Sequence, residues 1–591
     1  MRLSLLSSPA LLLVSLLRCF VYVKGTPLKT RGNTLRKPTH GAVASESAVC
    51  SGIGGDILRA GGNAADAIVA TVLCVGTVDA HHSGIGGGGF ALVRSPKGKY
   101  KMIDFRETAP RASNETMFVT QTNSTASTIG GLSVGVPGEL RGLESIHKMY
   151  GRLPWKRLFQ PAIKLAKEGF VIQGQLAGAI ASNAAFILND TEFSSVYAPN
   201  GTLLKQGSVA HRPAYAKTLT AVANHGADEF YCKDRWIARA SVKAARHSYL
   251  QPGIITLEDW EGYKVEIREP ASIHYKGLKL TSTVAPSSGT VVLGALNILS
   301  GYDLSYTTDP TTGLVVDSNL TAHKLVESFK FAYGQRTVLG DPKFVKNVTK
   351  LELEFMEPQM GAKIRAVMPS NSTGPPSLYD PTGFEIKQTP GTSQIVAADE
   401  SGLVISLTTT VNLYFGSHIM VHETGVILND EMDDFSSPDS SNAFGYVATP
   451  ANYIQPGKRP LSSISPVIAE DEHGRFVFAN GAAGGSRIIT ANIQTLRHYL
   501  DHNYTAQQAV NAPRVHDQIF PQVTTVEYTS VSQNVTGYNN ATVASLASLG
   551  HNISWVAPGV SVAAVIGHRD GVFDPAADPR VPNSGHVVIQ C

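Results

Sequence analysis

Charge is scarce in this chain of 591 residues: Asp, Glu, Lys and Arg make up 16% of it, and the formal net charge is only +3. No long basic run accompanies that excess, so neither nucleic acid nor an anionic membrane surface is implied as a partner. Cysteine is rarer still, limited to Cys19, Cys50, Cys74, Cys232 and Cys591. Their spacings match no zinc site, and the sequence points to no metal and no cofactor. Past the N-terminal segment, no stretch approaches the ~20 apolar residues that span a bilayer. No internal repeat is present. What remains is a large soluble-enzyme composition, 43% hydrophobic, too long for one ordinary core and therefore multidomain or one composite fold.

The N-terminus reads as a secretory signal. Arg2 precedes the leucine-rich run Leu3 to Leu17, and Arg18, Cys19 and Phe20 to Val23 follow before Lys24. A signal anchor is the alternative, because Arg18 interrupts the run. Eleven Asn-x-Ser/Thr sequons begin at Asn114, Asn123, Asn189, Asn200, Asn319, Asn347, Asn371, Asn503, Asn534, Asn540 and Asn552. Such a spread points to a glycosylated lumenal chain, extracellular or vacuolar, and membrane-anchored if the signal is retained. Cys50 and Cys74 fit one bridge in an oxidising compartment, or two small buried hydrophobes.

Residues 25–40 read as a polar linker. Beyond Gly41 strand-like and helix-like runs alternate. Ala67–Val78 (AIVATVLCVGTV) reads as a buried helix of small residues, and Gly84–Val93 (GIGGGGFALV) as a glycine turn into a strand. Residues 137–170 and 208–250 are helical in composition; 300–390 begin helical and become loop-rich. After Gly391 the texture changes. Thr392–Asp399 and Leu403–Tyr414 read as two strands of a hairpin around Glu400-Ser401-Gly402. A second hairpin pairs Ser465–Glu470 with Arg475–Ala479 and runs into a helix. The pattern implies stacked sheets with helices outside.

Several motifs carry chemistry, each beside a plainer reading. Gly84–Gly89 satisfies G-x-G-x-x-G, but it follows a helix and opens a strand, the reverse of a dinucleotide loop, so close backbone packing is the better account. His81-His82 has no third ligand and reads as structural. Arg106 is suited to clamp a carboxylate in a bidentate fork, or to pair with Glu107 at the surface. Thr392 opens a strand after Gly391. A threonine hydroxyl is a poor nucleophile unless a base adjoins it, and a chain-terminal α-amine supplies one at neutral pH. Cutting Gly391–Thr392 would expose it. Thr408, Thr410 and Asn412 fall on one face of the next strand by period-two alternation. Glu431 and Asp434 are placed to hold an ammonium, or to form a solvated acidic turn. Ser462 and Ser463 precede a strand, and Gly484-Gly485 stand where backbone N–H groups form an oxyanion hole.

In order and content these segments resemble the γ-glutamyltransferases (glutathione hydrolases), of the N-terminal-nucleophile hydrolase fold. The likeness runs from about Gly41 to the C-terminus and is most specific in FRETAP, NLYFGS, NDEMDDFSSP, KRPLSS and GAAGGS. It implies that Thr392 is the nucleophile freed by autocleavage and that Thr410 assists it. It implies that Arg106, Ser462 and Ser463 grip the glutamyl α-carboxylate, that Asn412, Glu431 and Asp434 grip its α-ammonium, and that Gly484 and Gly485 form the oxyanion hole. Cys50 and Cys74 fall where animal members have a disulfide. Gln394 departs from the histidine that many members carry two residues after the nucleophile.

The resemblance thus implies an α+β, four-layer αββα sandwich. Residues 1–25 would be a signal, 26–391 a large subunit and 392–591 a small catalytic one, paired as a heterodimer. Substrates would be glutathione and related γ-glutamyl amides, with water, an amino acid or a dipeptide as acceptor. Rivals are an acylase of other acyl amides and an uncleaved, inert binding protein.

Overall fold

The computed structural model describes residues 39–310, 312–383, 391–438 and 448–590. The N-terminal signal, most of the linker, residues 384–390 and Cys591 lie outside the described residues.

Thirteen strands build two large sheets. In chain order they are β1 (Thr39–Ser45), β2 (Gly88–Arg94), β3 (Tyr100–Asp104), β4 (Glu266–Arg268), β5 (Ala271–Tyr275) and β6 (Leu278–Ser282), then β7 (Ser393–Asp399), β8 (Val404–Thr410), β9 (Val467–Glu470), β10 (Phe476–Ala483), β11 (Val562–Arg569), β12 (Val572–Ala577) and β13 (Gly585–Gln590). One sheet runs β13-β1-β7-β8-β2-β3-β4, the other β12-β11-β10-β9-β6-β5. They face each other through β1, β7 and β8 on one side and β10 and β11 on the other. Helices α1 (Ala48–Arg59), α2 (Ala64–Val78) and α3 (Glu139–Tyr150) cover the first sheet. Helices α4 (Gly289–Ser300) and α6 (Ile488–Leu500) cover the second, and α5 (Asn319–Arg336) packs on α4. This is the αββα, α+β architecture.

Alternation explains the layering. In β7, Ile395 and Ala397 join the core beneath α2, whereas Val396 and Ala398 join the core between the sheets. Five alanines (Ala42, Ala44, Ala398, Ala479, Ala564) stand in that inter-sheet layer beside larger side chains such as Leu92, Ile566 and Phe573. Helix α2 is buried along its whole length. Asn63 caps it by accepting from Ala65 and Asp66, and the Asp66 carboxylate accepts from the Asn63 N–H. A Cys50–Cys74 disulfide, with Cα atoms 5.4 Å apart, ties α1 to α2.

The glycine-rich turn lies between α2 and β2 and serves packing. A Cβ on Gly87 would fall 1.9 Å from the Thr410 carbonyl oxygen, so the turn lets β2 lie against the end of β8. Expected boundaries shift in both hairpins: β9 begins at Val467, not Ser465, β10 runs on to Ala483, past Ala479, and β8 stops at Thr410, not Tyr414. Asn412 has φ +75, which breaks the extended run, and its side-chain amide donates to the Asp430 carbonyl at 3.2 Å. Asn412 therefore belongs to a turn, not to the strand face shared by Thr408 and Thr410.

Candidate active site

Antiparallel pairing brings the site to one end of the sandwich. Ser393 pairs with Thr409, so Thr392, one step earlier, stands opposite Thr410. Thr410 pairs with Gly88, and Phe90 with Asp104, which carries the end of β3 and the following Arg106 to the same edge. From the second sheet come Ser462 and Ser463, just before β9, and Gly484 and Gly485, just after β10. One cavity is lined together by Arg106, Thr392, Thr410, Asn412, Glu431, Asp434, Ser462, Ser463 and Gly485. Of the residues singled out in the sequence for this chemistry, Gly484 faces instead a second cleft that also reaches Thr392.

The local geometry at Thr392 is strained. Its φ is +131, outside the regions a β-branched residue ordinarily occupies, at a cost of roughly 1–3 kcal/mol. Gly391 has φ +114, and a Cβ there would fall 1.8 Å from the Asn412 carbonyl oxygen; no other residue type fits. Thr410 Oγ1 accepts from the Asn412 N–H at 2.8 Å. Beside Thr392, Ser393 Oγ lies 2.7 Å from His82 Nδ1, so His82 has a buried structural partner.

Arg106 is 1% exposed, which rules out the surface pairing with Glu107. Its guanidinium contacts Glu431 and Asp434 directly, while Glu107 Oε2 is 3.9 Å away. Its Nε donates to the Pro460 carbonyl at 3.3 Å. Two buried carboxyls, Glu107 and Glu431, and the partly buried Asp434 thus face one guanidinium. Burial raises Glu107 to about 8 and Glu431 well above the usual carboxylate range, with Arg106 pulling both down. An added ammonium would relieve that excess of acid.

Second-layer bonds hold the loops in place. Asn429 donates to the carbonyls of Gly86 and Gly135 and accepts from the Glu431 N–H at 3.0 Å. Asn452 donates to the Asp434 carbonyl at 2.7 Å and accepts from the Leu461 N–H at 2.9 Å, so the acidic loop and the KRPLSS loop are stitched together. Gln394 lines neither cavity reaching Thr392. It lies between the sheets, where Thr408 Oγ1 donates to its Oε1 at 2.6 Å and its Nε2 donates to Ser406 Oγ at 2.9 Å.

The sequence reading missed Arg336, at the end of α5. It lines the same cavity as Arg106 and Thr392, and its Nε donates to Ser288 Oγ at 3.2 Å. Among the described residues no carboxylate forms an ion pair with it. Asn452, Ser436 and Thr449 were missed as well. Neutral loop residues and a lone helix-end arginine leave no local pattern by which to find them.

All eleven sequon asparagines are exposed. Among the described residues, no helix is long and apolar enough to cross a membrane.

A family model described as Gamma-glutamyltranspeptidase matches residues 50–588. A glutathione hydrolase proenzyme of Arthroderma benhamiae is 44% identical over 563 residues, covering 93% of each chain. Glutathione hydrolase 3 of Arabidopsis thaliana is 37% identical over 530 residues, covering 89% of this chain and 80% of that one. Among solved structures, the γ-glutamyltranspeptidase of Helicobacter pylori matches with a TM-score of 0.51 at 30% identity, over 59% of this chain and 96% of that one. A cephalosporin acylase from Bacillus halodurans matches with a TM-score of 0.77 over 96% of this chain and 99% of that one; at 24% identity that likeness speaks for the fold alone.

Proposed function

Because the chain belongs to the γ-glutamyltranspeptidase family, we propose that it cuts itself at Gly391–Thr392 and then works through Thr392 as a glutathione hydrolase and γ-glutamyltransferase. The products would be a large subunit ending at Gly391 and a small one beginning at Thr392, held as a heterodimer. The strained φ of Thr392 supports this reading, since cutting the bond before it abolishes that dihedral.

In the mature enzyme the Thr392 α-amine takes the proton of its own hydroxyl as Oγ attacks the γ-glutamyl carbonyl. Backbone N–H groups at Gly484 and Gly485 receive the oxyanion, and Thr410 positions the nucleophile. The amine leaves, and water, an amino acid or a dipeptide resolves the ester. Arg106, Ser462 and Ser463 take the α-carboxylate; Asn412, Glu431 and Asp434 take the α-ammonium. The observation that carries this is the meeting, in one cavity, of a basic clamp, an acidic clamp and Thr392, which suits a group bearing both charges on one carbon. The exposed sequons support passage through the secretory pathway to the cell exterior or the vacuole.

The decisive test pairs two measurements. Thr392→Ala should give a single uncleaved, inactive band on a denaturing gel, and two subunits from that variant would overturn autocleavage. The wild type should strongly prefer γ-glutamyl to glutaryl anilide, because a glutaryl donor leaves the buried carboxyls without their cation. Asp434→Asn should narrow the gap by harming the γ-glutamyl substrate. Equal rates on both donors would assign an acylase instead.

A further inference from the structure

The donor cavity accounts for one side of Thr392. A second cleft, of about 420 Å³, reaches the same residue and also touches Gly484. Its walls include Tyr414, Ser561 and, two residues after the glycine pair, Arg487. An acyl group seated against Arg106 and Asp434 presents its carbonyl at Thr392. The amine half of the same amide must then extend away from that cavity, and this cleft adjoins Thr392 and Gly484.

Arg487 is half-buried at the entry to α6. Its Nη1 donates to Thr525 Oγ1 at 2.8 Å. Among the described residues no carboxylate forms an ion pair with it. Glu527, the acid whose charge reaches it, is ion-paired with Arg580 instead. A guanidinium has five donors in a planar fork. One donor spent on a neutral hydroxyl leaves the fork open to an anion. A partly desolvated cation without a counter-charge is costly to maintain, and a carboxylate that arrives with each substrate would supply one.

We propose that Arg487 binds the terminal carboxylate of the amine side: the peptide released from the donor, and the acceptor peptide that replaces it. The assignment rests on the γ-glutamyl reading above. In transfer, the acceptor amine attacks the carbonyl carbon of the Thr392 ester. A C–N bond forms, the C–Oγ bond breaks, and the amine's proton returns to Thr392 Oγ. Arg487 exchanges no proton; it fixes the far end of the acceptor, ~7 Å from the amine in a dipeptide, so that the amine points at the ester. Acceptors with a free carboxylate are therefore favoured over the same peptides capped as amides.

The test measures kcat/KM for glycylglycine and for glycylglycinamide as acceptors from a γ-glutamyl anilide, in wild type, Arg487→Gln and Arg487→Lys. The wild type should favour glycylglycine by about ten- to a hundred-fold, the worth of one charge-assisted contact. Arg487→Gln should bring that ratio to within about twofold of unity, with Arg487→Lys between, since it keeps charge but loses the fork. The ratio is independent of how much enzyme folds, so a merely structural role would lower both acceptors and leave it unchanged. A wild type indifferent to the cap, or an Arg487→Gln variant that keeps the full preference, overturns the assignment. Failure of the wild type to turn over any γ-glutamyl donor sinks the γ-glutamyl reading itself.

Discussion

Arg106 stands between two roles. The proposed reaction needs its fork for the substrate carboxylate, yet the structure engages it with Glu431 and Asp434, and the free space in the donor cavity is only about 30 Å³. At ~10–15 Å³ per water, that holds about two or three solvent molecules and no glutamyl group. Binding must therefore exchange the internal pairs of Arg106 with Glu431 and Asp434 for external ones, the carboxylate on Arg106 and the ammonium on the acids. The geometry of the fork should matter more than the charge. Arg106→Lys keeps the charge and loses the second donor direction. It should lower kcat/KM for a γ-glutamyl anilide by about one to two decades, the worth of a buried charge-assisted bond of roughly 1.5–3 kcal/mol. An unchanged kcat/KM would remove Arg106 from the donor site.

At the scale of elements, β7 and β10 meet through Gln394 and Gly481. A Cβ on Gly481 would fall 2.3 Å from the Gln394 amide. That amide cannot swing aside without giving up its bonds to Thr408, Ser406 and the Ile395 carbonyl. Gly481→Ala should therefore destabilise by about 1–3 kcal/mol in urea unfolding. Adding Gln394→Ala should return part of that loss, giving a coupling of at least ~0.5 kcal/mol; strict additivity would show that the two do not press on each other. This pair also marks where sequence reading stops. The β7–β8 hairpin was legible from alternation and from the turn at Glu400-Ser401-Gly402, and the buried helix after Asn63 from its small apolar run. The β8 boundary was not, because Asn412 breaks the strand through a bond to Asp430, eighteen positions away. Gln394 looked like a neighbour of the chemistry because it is two residues from Thr392. Period two turns its side chain between the sheets, onto a glycine of the other hairpin that nothing local announces.

Across the whole molecule, the proposed cut leaves two chains that share buried polar contacts as well as core. His323, Glu327 and Lys330 lie on α5, before Gly391; His551 and Asp517 lie after it. His323 Nε2 lies 3.0 Å from the Pro369 carbonyl, which makes that nitrogen the donor. His323 Nδ1 then accepts from His551 Nε2 at 2.8 Å, and His551 Nδ1 is left to accept from the Lys330 ammonium at 3.4 Å. Lys330 also donates to Glu327 at 3.1 Å and lies 3.8 Å from Asp517. His323, Glu327 and His551 bring ligand-type atoms within 4.8 Å of one another, but Lys330 already provides the cation and the chain of donors closes without a metal. It closes only while His551 is neutral. Burial, together with Lys330 and His323, depresses His551 to about 3, whereas an unfolded histidine titrates near 6.5. Its contribution is therefore fully present above about 6.5 and is lost as pH falls from there towards 3, because the unfolded chain binds the proton first. His516, held to about 3, adds to the same trend. Asp79, Glu139 and Glu352, raised to about 7 by burial, work the other way, stabilising most below the ordinary carboxylate range and losing that effect as pH rises to 7. A variant at one histidine isolates its share. His551→Gln keeps hydrogen-bonding groups and loses the proton. Between pH 7 and 4.5 the urea midpoint of the wild type should fall by more than that of His551→Gln, and acid should release the small subunit from the large one sooner in the wild type. Equal pH slopes for the two proteins would mean that this contact across the cut carries no proton-linked stability.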